Sequence, residues 1–200
     1  MNDFRATIRA LRIRNCQGRY YVPEPQYLAY MGPDIIKEAL IHGGTEPWKL
    51  KELVTVVTEG ARKLLGILIL IRQESLFIKF VEEHQGDTRT LDAQLPFFRE
   101  RLSFLDPDIA EEFLETQWMF TSPVFARRLT HRFFDSDTVL PFIENLPLDE
   151  GGFGRVFLVK IYAGHHLYDD AGHGSEFQGN YVQIPTTFIP SRTNEHRTIN

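Results

Sequence analysis

The sequence predicts a mainly α-helical protein: a helical N-terminal domain, then a small antiparallel β-hairpin and a loosely ordered tail. Apolar residues recur at helical spacing through roughly the first 135 residues, whereas residues 155–161 alternate with the period of a strand. From residue 164 onward the chain is polar and glycine-rich, with little that could pack. These three observations divide the chain into a helical domain at 1–135, a hairpin at 136–163 and a tail at 164–200.

The composition is that of an ordinary globular protein, with 42% hydrophobic residues and a net charge of −5. Nucleic-acid binding is disfavoured because neutralising phosphates requires a basic surface. The most apolar run, at 64–71, is far shorter than the roughly 20 residues that cross a bilayer. The single cysteine, Cys16, excludes an internal disulfide and a cysteine-based zinc site. We therefore expect an intracellular protein, cytoplasmic or nuclear, without nucleic-acid or membrane partners. The sequence does not indicate an oligomeric state.

The N-terminal segment combines a helical apolar stripe with an excess of arginine. Phe4, Ile8 and Leu11 recur at helical spacing, which predicts a short amphipathic helix ended by Gly18. Arginines stand at positions 5, 9, 12, 14 and 19. The favoured interpretation is a surface helix with a basic face, and the alternative is an organelle-targeting peptide. Cys16 is interpreted as inert, with a reactive thiol as the alternative.

The strongest helical pattern runs from about residue 47 to residue 72 and predicts one long helix. Its apolar stripe comprises Leu50, Leu53, Val54, Val57, Ala61, Leu64, Leu65 and Leu68. The second half is apolar on nearly every side, so we expect it to be central, with other helices packed around it. A shorter helix is predicted before it, at 33–44, where Pro33 suits the first turn and two glycines the end.

Two further helices are predicted before the composition changes near residue 135. The first lies at 75–84. The second begins with Asp106 as N-cap and Pro107 in the first helical position. The inward-facing residues of these two helices are predicted to be Phe77, Phe80 and Val81, and then Ile109, Phe113, Leu114 and Trp118. Ser122-Pro123 interrupts the chain, and another turn of helix is predicted within 124–134.

The stretch DEGGFGRVFLVKI, at 149–161, is the strongest candidate for chemistry. The predicted strand places Val156, Leu158 and Lys160 on one face, and Phe157, Val159 and Ile161 on the other. A Walker loop is excluded because no lysine follows Gly154 directly. A dinucleotide fingerprint is excluded because its glycines open a helix, whereas these lead into a strand.

The stretch resembles the glycine-rich loop of protein kinases, which lies between two antiparallel strands and covers the phosphates of ATP. Gly151 and Gly154 match its second and third glycines, and Asp149 stands in place of the first. The resemblance implies a site for ATP with Mg²⁺, in which the carboxylate of Asp149 would repel phosphate. The cofactor-binding residues that it implies are Leu148, Gly151, Gly152, Phe153, Gly154 and Val156.

The flanking sequence extends this resemblance to a particular group of kinases. The stretches FLETQWMFTSPVF, at 113–125, and GGFGRVFLVKIYAGHH, at 151–166, are similar to fungal protein kinase-like proteins. In that group an α-helical region precedes a Ser/Thr protein kinase domain. The resemblance implies that this chain corresponds to the helical region and the start of a truncated kinase domain.

The residues that phosphoryl transfer needs are missing from the sequence. The kinase fold requires a lysine on its third strand, an H-R-D-type catalytic aspartate and a metal-binding D-F-G aspartate. No lysine follows Lys160, which is itself interpreted as a solvated strand residue, and neither motif follows the loop. We expect no catalysis by this chain alone and weak or lost nucleotide binding. The alternative is a non-enzymatic helical module that binds a protein partner, with a vestigial hairpin.

A metal site and a hydrolase site have little support in the sequence. His165, His166, Asp169, Asp170 and His173 could suggest a metal site, but their spacing matches no metal template. A solvated polar loop is favoured, and an insertion between strands of the kinase-like lobe is the alternative. A Ser-His-Asp hydrolase is poorly supported, because the sequence has no nucleophile turn.

Overall fold

A computed structural model of the chain describes residues 3–84, 89–126, 134–151, 154–167 and 181–188. Within these residues, seven α-helices lie between Phe4 and Thr116 and most of the strands follow them, so the predicted mainly helical fold is confirmed. Each part has its own hydrophobic core. The last α-helix ends at Thr116, and the strands that follow it begin at Phe125 and Phe142.

The N-terminus forms helix α1 (Phe4–Leu11), as the apolar spacing predicted, with Phe4 and Ile8 buried. The side chain of Asp3 caps it by accepting a hydrogen bond from the amide of Ala6 at 2.9 Å. A short hairpin that the sequence did not predict follows, pairing β1 (Ile13–Arg14) with β2 (Tyr20–Tyr21). Gly18 has φ +83°, a conformation that favours glycine, so it makes a turn inside this hairpin.

The predicted long helix at 47–72 is two helices, and this prediction was wrong. After α2 (Glu24–Tyr30) and α3 (Pro33–His42), the chain forms α4 (Leu50–Gly60) and α5 (Arg62–Leu70). The break is at Ala61, whose φ of −139° is not helical. Thr90 packs against Gly60 so closely that a Cβ at Gly60 would lie 2.3 Å from the Cβ of Thr90. The apolar stripe continues across the break, which is why its spacing did not reveal it.

The core position predicted for the second half of this segment is confirmed. Every residue at 64–70 of α5 is buried, and helices α1, α4, α6 (Phe77–Glu83) and α7 (Pro107–Thr116) pack against α5. Asp106 caps α7 as predicted, accepting from the amide of Asp108 at 3.0 Å. Among the described residues, no helix has the length and apolar character needed to cross a membrane.

The strands after residue 120 form two small sheets. β3 (Phe125–Ala126) pairs in parallel with β6 (His166–Leu167), and β4 (Phe142–Gly151), β5 (Gly154–Tyr162) and β7 (Tyr181–Phe188) form an antiparallel sheet in the order β4–β5–β7. Residues 125–126 are therefore strand rather than the predicted helix, and 127–133 lie outside the described residues. Strand β7 falls in the segment that we expected to be loosely ordered. Pro185 hides its strand pattern, and an outer strand tolerates proline.

The strand alternation predicted at 157–161 is confirmed by the burial of this sheet. Val159 and Ile161 are buried with Leu140 and Phe142 in a second hydrophobic cluster. Phe157 packs at the margin of the cluster. The inward face of β5 therefore lies against residues of β4 and of the connection that leads from the helical domain.

Candidate functional site

The glycine-rich stretch forms the end of the hairpin between β4 and β5. The strands pair antiparallel up to Gly151, which lies opposite Gly154. Asp149 lies opposite Val156, and the register shifts between Pro147 and Asp149, so Leu148 sits at an irregularity in the ladder. This hairpin is the arrangement that the sequence predicted for the stretch.

Four of the six residues expected to contact a cofactor have described backbone positions. Gly151 ends β4 and Gly154 begins β5, so the structure brings these two glycines together. Leu148 and Val156 lie on the two paired strands. Gly152 and Phe153 lie outside the described residues. A glycine pair at the end of a hairpin lets the backbone come close to a ligand, because no side chain intervenes.

The third strand of the sheet carries no lysine. Strand β7, with the sequence YVQIPTTF, pairs with β5 along its whole length. Lys160 on β5 lies opposite Glu144 on β4, and its Nζ is 3.0 Å from the Glu144 carboxylate. Lys160 is therefore held in a cross-strand ion pair at the surface.

The β4–β5 hairpin is attached to the helical domain by hydrogen bonds from the β1–β2 hairpin. The side-chain amide of Asn15 donates to the carbonyl of Leu140 at 3.0 Å, and the backbone amide of Cys16 donates to the carbonyl of Phe142 at 2.7 Å. Arg19 donates to three successive carbonyls at 136–138. These bonds fix the chain that leads into β4.

His165 is buried where the helical domain meets the chain that follows β5. It lies in the 3₁₀ turn Ala163–His165 after β5 and is only 1% exposed. Its Nδ1 donates to the carbonyl of Pro123 at 3.1 Å, and its ring packs edge-on against Tyr21 at 5.1 Å. Burial lowers the pKa of His165, because a charged imidazolium would lose its hydration there.

A groove on the helical domain, of about 510 Å³, lies beside the segment that joins the two parts. Phe98, which is 66% exposed, contributes to its apolar lining together with Leu114 and Trp118. Acidic side chains that also line the groove are Glu111, Glu115, Asp135 and Asp137. Arg19 and Arg99 line the groove as well, and Arg99 is paired with Glu111. The groove thus combines an apolar surface with charges of both signs, among which carboxylates outnumber guanidinium groups.

The metal and thiol alternatives gain no support. Among the described residues, no group of three or more His, Cys, Asp or Glu side chains is placed to hold a metal ion. His165 and His166 are adjacent in the chain, while Asp169, Asp170 and His173 lie outside the described residues. Burial raises the pKa of the Cys16 thiol, which disfavours the reactive thiolate.

Sequence reasoning did not identify the residues that attach the hairpin. In the sequence Arg19 belongs to a basic segment and His165 to a polar loop, and their partners are backbone carbonyls, which leave no sequence pattern. Comparison of the chain with models of known protein families, with curated proteins and with solved structures finds no significant match.

Proposed function

We propose that this chain is the N-terminal portion of a protein kinase-like protein, with a helical domain followed by the first strands of the nucleotide-binding lobe. The observation that carries the proposal is the hairpin, in which Gly151 lies opposite Gly154 at the end of two antiparallel strands. A kinase glycine-rich loop lies at such a turn. A third antiparallel strand on β5 also supports a kinase-like lobe.

The proposed contact with the nucleotide is made through the backbone. The amides around Gly151 and Gly154 would approach the phosphates of Mg-bound ATP, and Leu148 and Val156 would cover the base. Asp149 would oppose binding, because it stands in the sequence where the kinase loop has its first glycine. The proposed affinity is therefore weak, in the range of millimolar dissociation constants.

The outer face of the sheet supports the view that further residues pack against it in the intact ancestor. Leu146 is 57% exposed and lies opposite Leu158 across the β4–β5 ladder. An exposed leucine opposite a half-buried leucine is a surface that a folded lobe would normally cover. In the described residues, β4 and β7 each pair with a strand on one side only. Both outer edges could therefore accept further chain.

Catalysis is not part of the proposal for this chain. Lys160 is paired with Glu144, β7 offers no lysine, and the sequence has no H-R-D or D-F-G motif after the hairpin. Without these groups, the γ-phosphate has neither a positioned metal ion nor a catalytic base. The proposed role is nucleotide contact without phosphoryl transfer.

Thermal unfolding with Mg-ATP tests this proposal. With a dissociation constant of about 1 mM, about 10 mM Mg-ATP would add about 1.4 kcal/mol to the free energy of unfolding. The expected result is a rise in Tm of a few degrees, reproduced by Mg-ADP, with no phosphate transferred to a test peptide. An unchanged Tm at these concentrations contradicts nucleotide binding.

The second candidate function is protein binding through the helical domain, and the groove beside Phe98 favours it. An apolar surface with more carboxylates than guanidinium groups around it suits a partner segment that brings an apolar side chain and a positive charge. A photo-crosslinking residue at position 98 should then capture such a segment, whereas one at the exposed position 51 should not. Equal capture at both positions would contradict this function.

A further inference from the structure

Phe98 is held in place by its neighbour, although its own ring is exposed. Gln117, which is 1% exposed, accepts a hydrogen bond from the amide of Phe97 through Oε1 at 2.7 Å. The Nε2 of Gln117 donates to the carbonyl of Phe97 at 3.0 Å. Both backbone groups of Phe97 are therefore fixed, and its side chain is buried. The exposed ring of Phe98 thus projects from backbone that is anchored in the helical domain.

A second part of the groove lining, at 135–137, is fixed by Arg19. The guanidinium of Arg19 donates to the carbonyls of 136–138, at 3.3 Å for Ser136 and 3.4 Å for Thr138. The amide of Thr138 also donates to the carbonyl of Asp135 at 3.0 Å, which closes a turn. The side chains of Asp135 and Asp137 remain exposed. Two anchored segments therefore shape the groove without a partner, and such preorganisation favours binding.

The charges that line the groove do not balance. Four carboxylates line it, and that of Glu111 is paired with Arg99. The three that remain are those of Glu115, Asp135 and Asp137. Within the described residues, none of these three forms a salt bridge. Arg19 is the other guanidinium of the lining, and it donates to backbone carbonyls. The groove therefore offers carboxylates to a positively charged ligand.

The aromatic side chains of the groove favour arginine over lysine as the source of that charge. Phe98 and Trp118 both line the groove. A guanidinium can stack on an aromatic ring and donate two hydrogen bonds to a carboxylate, whereas an ammonium is a compact, strongly hydrated charge. The protein makes such a contact itself, since the guanidinium of Arg101 lies 5.9 Å from the centre of the Phe97 ring. Leu114 adds surface for an aliphatic side chain.

We propose that the groove beside Phe98 binds a segment of a partner protein in which an arginine is flanked by aliphatic side chains. The arginine pairs with the unpaired carboxylates, and the aliphatic side chains cover Phe98 and Leu114. This inference rests on the second candidate function, protein binding at the groove, and names the chemistry of the partner. A second copy of the chain is a poorer ligand, because its net charge of −5 would be repelled.

NMR titration of the full chain with the end-blocked peptide Gly-Leu-Arg-Leu-Gly tests the proposal. The indole N–H of Trp118 reports on the groove, and that of Trp48, which does not line it, is the reference. The expected dissociation constant is about 1 mM. Lysine in place of arginine should weaken binding by about two- to fivefold, and glutamine by about fivefold or more. Serine in place of both leucines should weaken it by about tenfold or more.

Two pairs of substitutions test the carboxylates directly. The double variant Glu115→Gln, Asp137→Asn should lose most of the preference for the arginine peptide over the glutamine peptide. The double variant Glu52→Gln, Glu59→Gln removes the same charge from α4, away from the groove, and should keep this preference. Phe98→Ser should weaken the binding of all leucine-containing peptides, because it removes the exposed ring.

The outcomes separate this inference from the function on which it rests. Equal affinity of the wild type for the arginine and glutamine peptides overturns the inference, even if a crosslinker at position 98 captures a partner. So does the failure of every peptide to shift the Trp118 resonance. A shift of that resonance with protein concentration alone would show that a second copy is the ligand instead. Protein binding at the groove fails separately, if position 98 captures no more than position 51.

Discussion

The carboxylate of Asp92 accepts a hydrogen bond from the backbone amide of Leu64, 28 residues earlier in the chain, at 3.0 Å. Its other oxygen accepts from the amide of Lys63, also at 3.0 Å. Helix α5 has no side-chain cap of its own, because the residue before it is Ala61. Asp92 therefore satisfies the first amides of the most buried helix. Burial raises the pKa of Asp92, and these two hydrogen bonds partly offset that effect.

Asp92→Ala should lower the free energy of unfolding by about 1–3 kcal/mol, because it leaves the two amides at the start of α5 without acceptors. Chemical denaturation measured by circular dichroism gives this value directly. Asp34→Ala is the matched control, since Asp34 is an exposed acid in the first turn of α3. A loss for Asp92→Ala no larger than for this control would contradict the capping role.

Gly66→Ala should destabilise the helical domain by about 1–3 kcal/mol through overpacking. A Cβ at Gly66 would lie 2.2 Å from the hydroxyl oxygen of Tyr27, whose ring also packs edge-on against Phe120. The Tyr27 hydroxyl donates to the carbonyl of Arg62 at 2.6 Å, so it has little freedom to move away. Gly32→Ala adds a Cβ that meets nothing within 4 Å but removes glycine from the N-cap of α3, so it should cost less than about 1 kcal/mol in the same denaturation experiment. An equal effect of the two changes would show that the contact with Tyr27 is not restrictive.

Acidification should destabilise the protein by protonating His165, which is buried between the helices and the sheet. The pKa of His165 is lower in the folded protein than its ordinary value of about 6.5. Between these two pKa values the unfolded chain binds more protons than the folded protein does. The free energy of unfolding therefore has its full value above about pH 6.5 and falls as the pH drops toward the folded pKa. The slope contributed by this one group is at most about 1.4 kcal/mol per pH unit.

The charges near this histidine are Glu24 and Lys63, which form an ion pair at 3.1 Å. His165→Gln removes the group whose pKa is lowered on folding. The variant should lose less stability than the wild type between neutral pH and about pH 5.5. The proton resonances of the His165 ring, followed by NMR, should titrate below the ordinary histidine range. Titration at the ordinary pKa, or an unchanged pH dependence in the variant, would contradict this account.

Asp149→Gly should strengthen nucleotide binding at the hairpin. It removes a carboxylate from the position of the first loop glycine, and one repulsive charge near phosphate is worth about 1 kcal/mol, or roughly fivefold in Kd. Isothermal titration with Mg-ADP measures the change. Asp108→Asn removes the same charge from α7 and should leave Kd unchanged. Equal affinity of Asp149→Gly and the wild type would count against the proposed position of the phosphates.

The positions of the helices could be predicted because burial imposes a spacing that sequence preserves. The buried stripe of α5 and the Asp106-Pro107 start of α7 are local signals. The break at Ala61 is different, because the contact found beside it joins Gly60 to the distant Thr90. A contact between residues thirty positions apart leaves no periodic trace in either segment.

The hairpin could be predicted from its glycines and from the alternation in β5, whereas its surroundings could not. Strand β7 could not be predicted because Pro185 interrupts its alternating pattern. Its pairing with β5, rather than its own sequence, supports the strand. The joint depends on Asn15, Arg19 and His165, each bonded to a backbone carbonyl. Any residue can supply a carbonyl, so sequence alone cannot indicate such partners.

Amide NMR spectra titrated with a Mg-bound, non-hydrolysable ATP analogue test the central claim most directly. The account predicts saturable shifts concentrated at the amides of 151–156, with a dissociation constant of about 1 mM and a value roughly fivefold lower in Asp149→Gly. Spectra that show no change at these amides at millimolar nucleotide, or changes confined to the helical domain, would contradict a kinase-like nucleotide site at the hairpin.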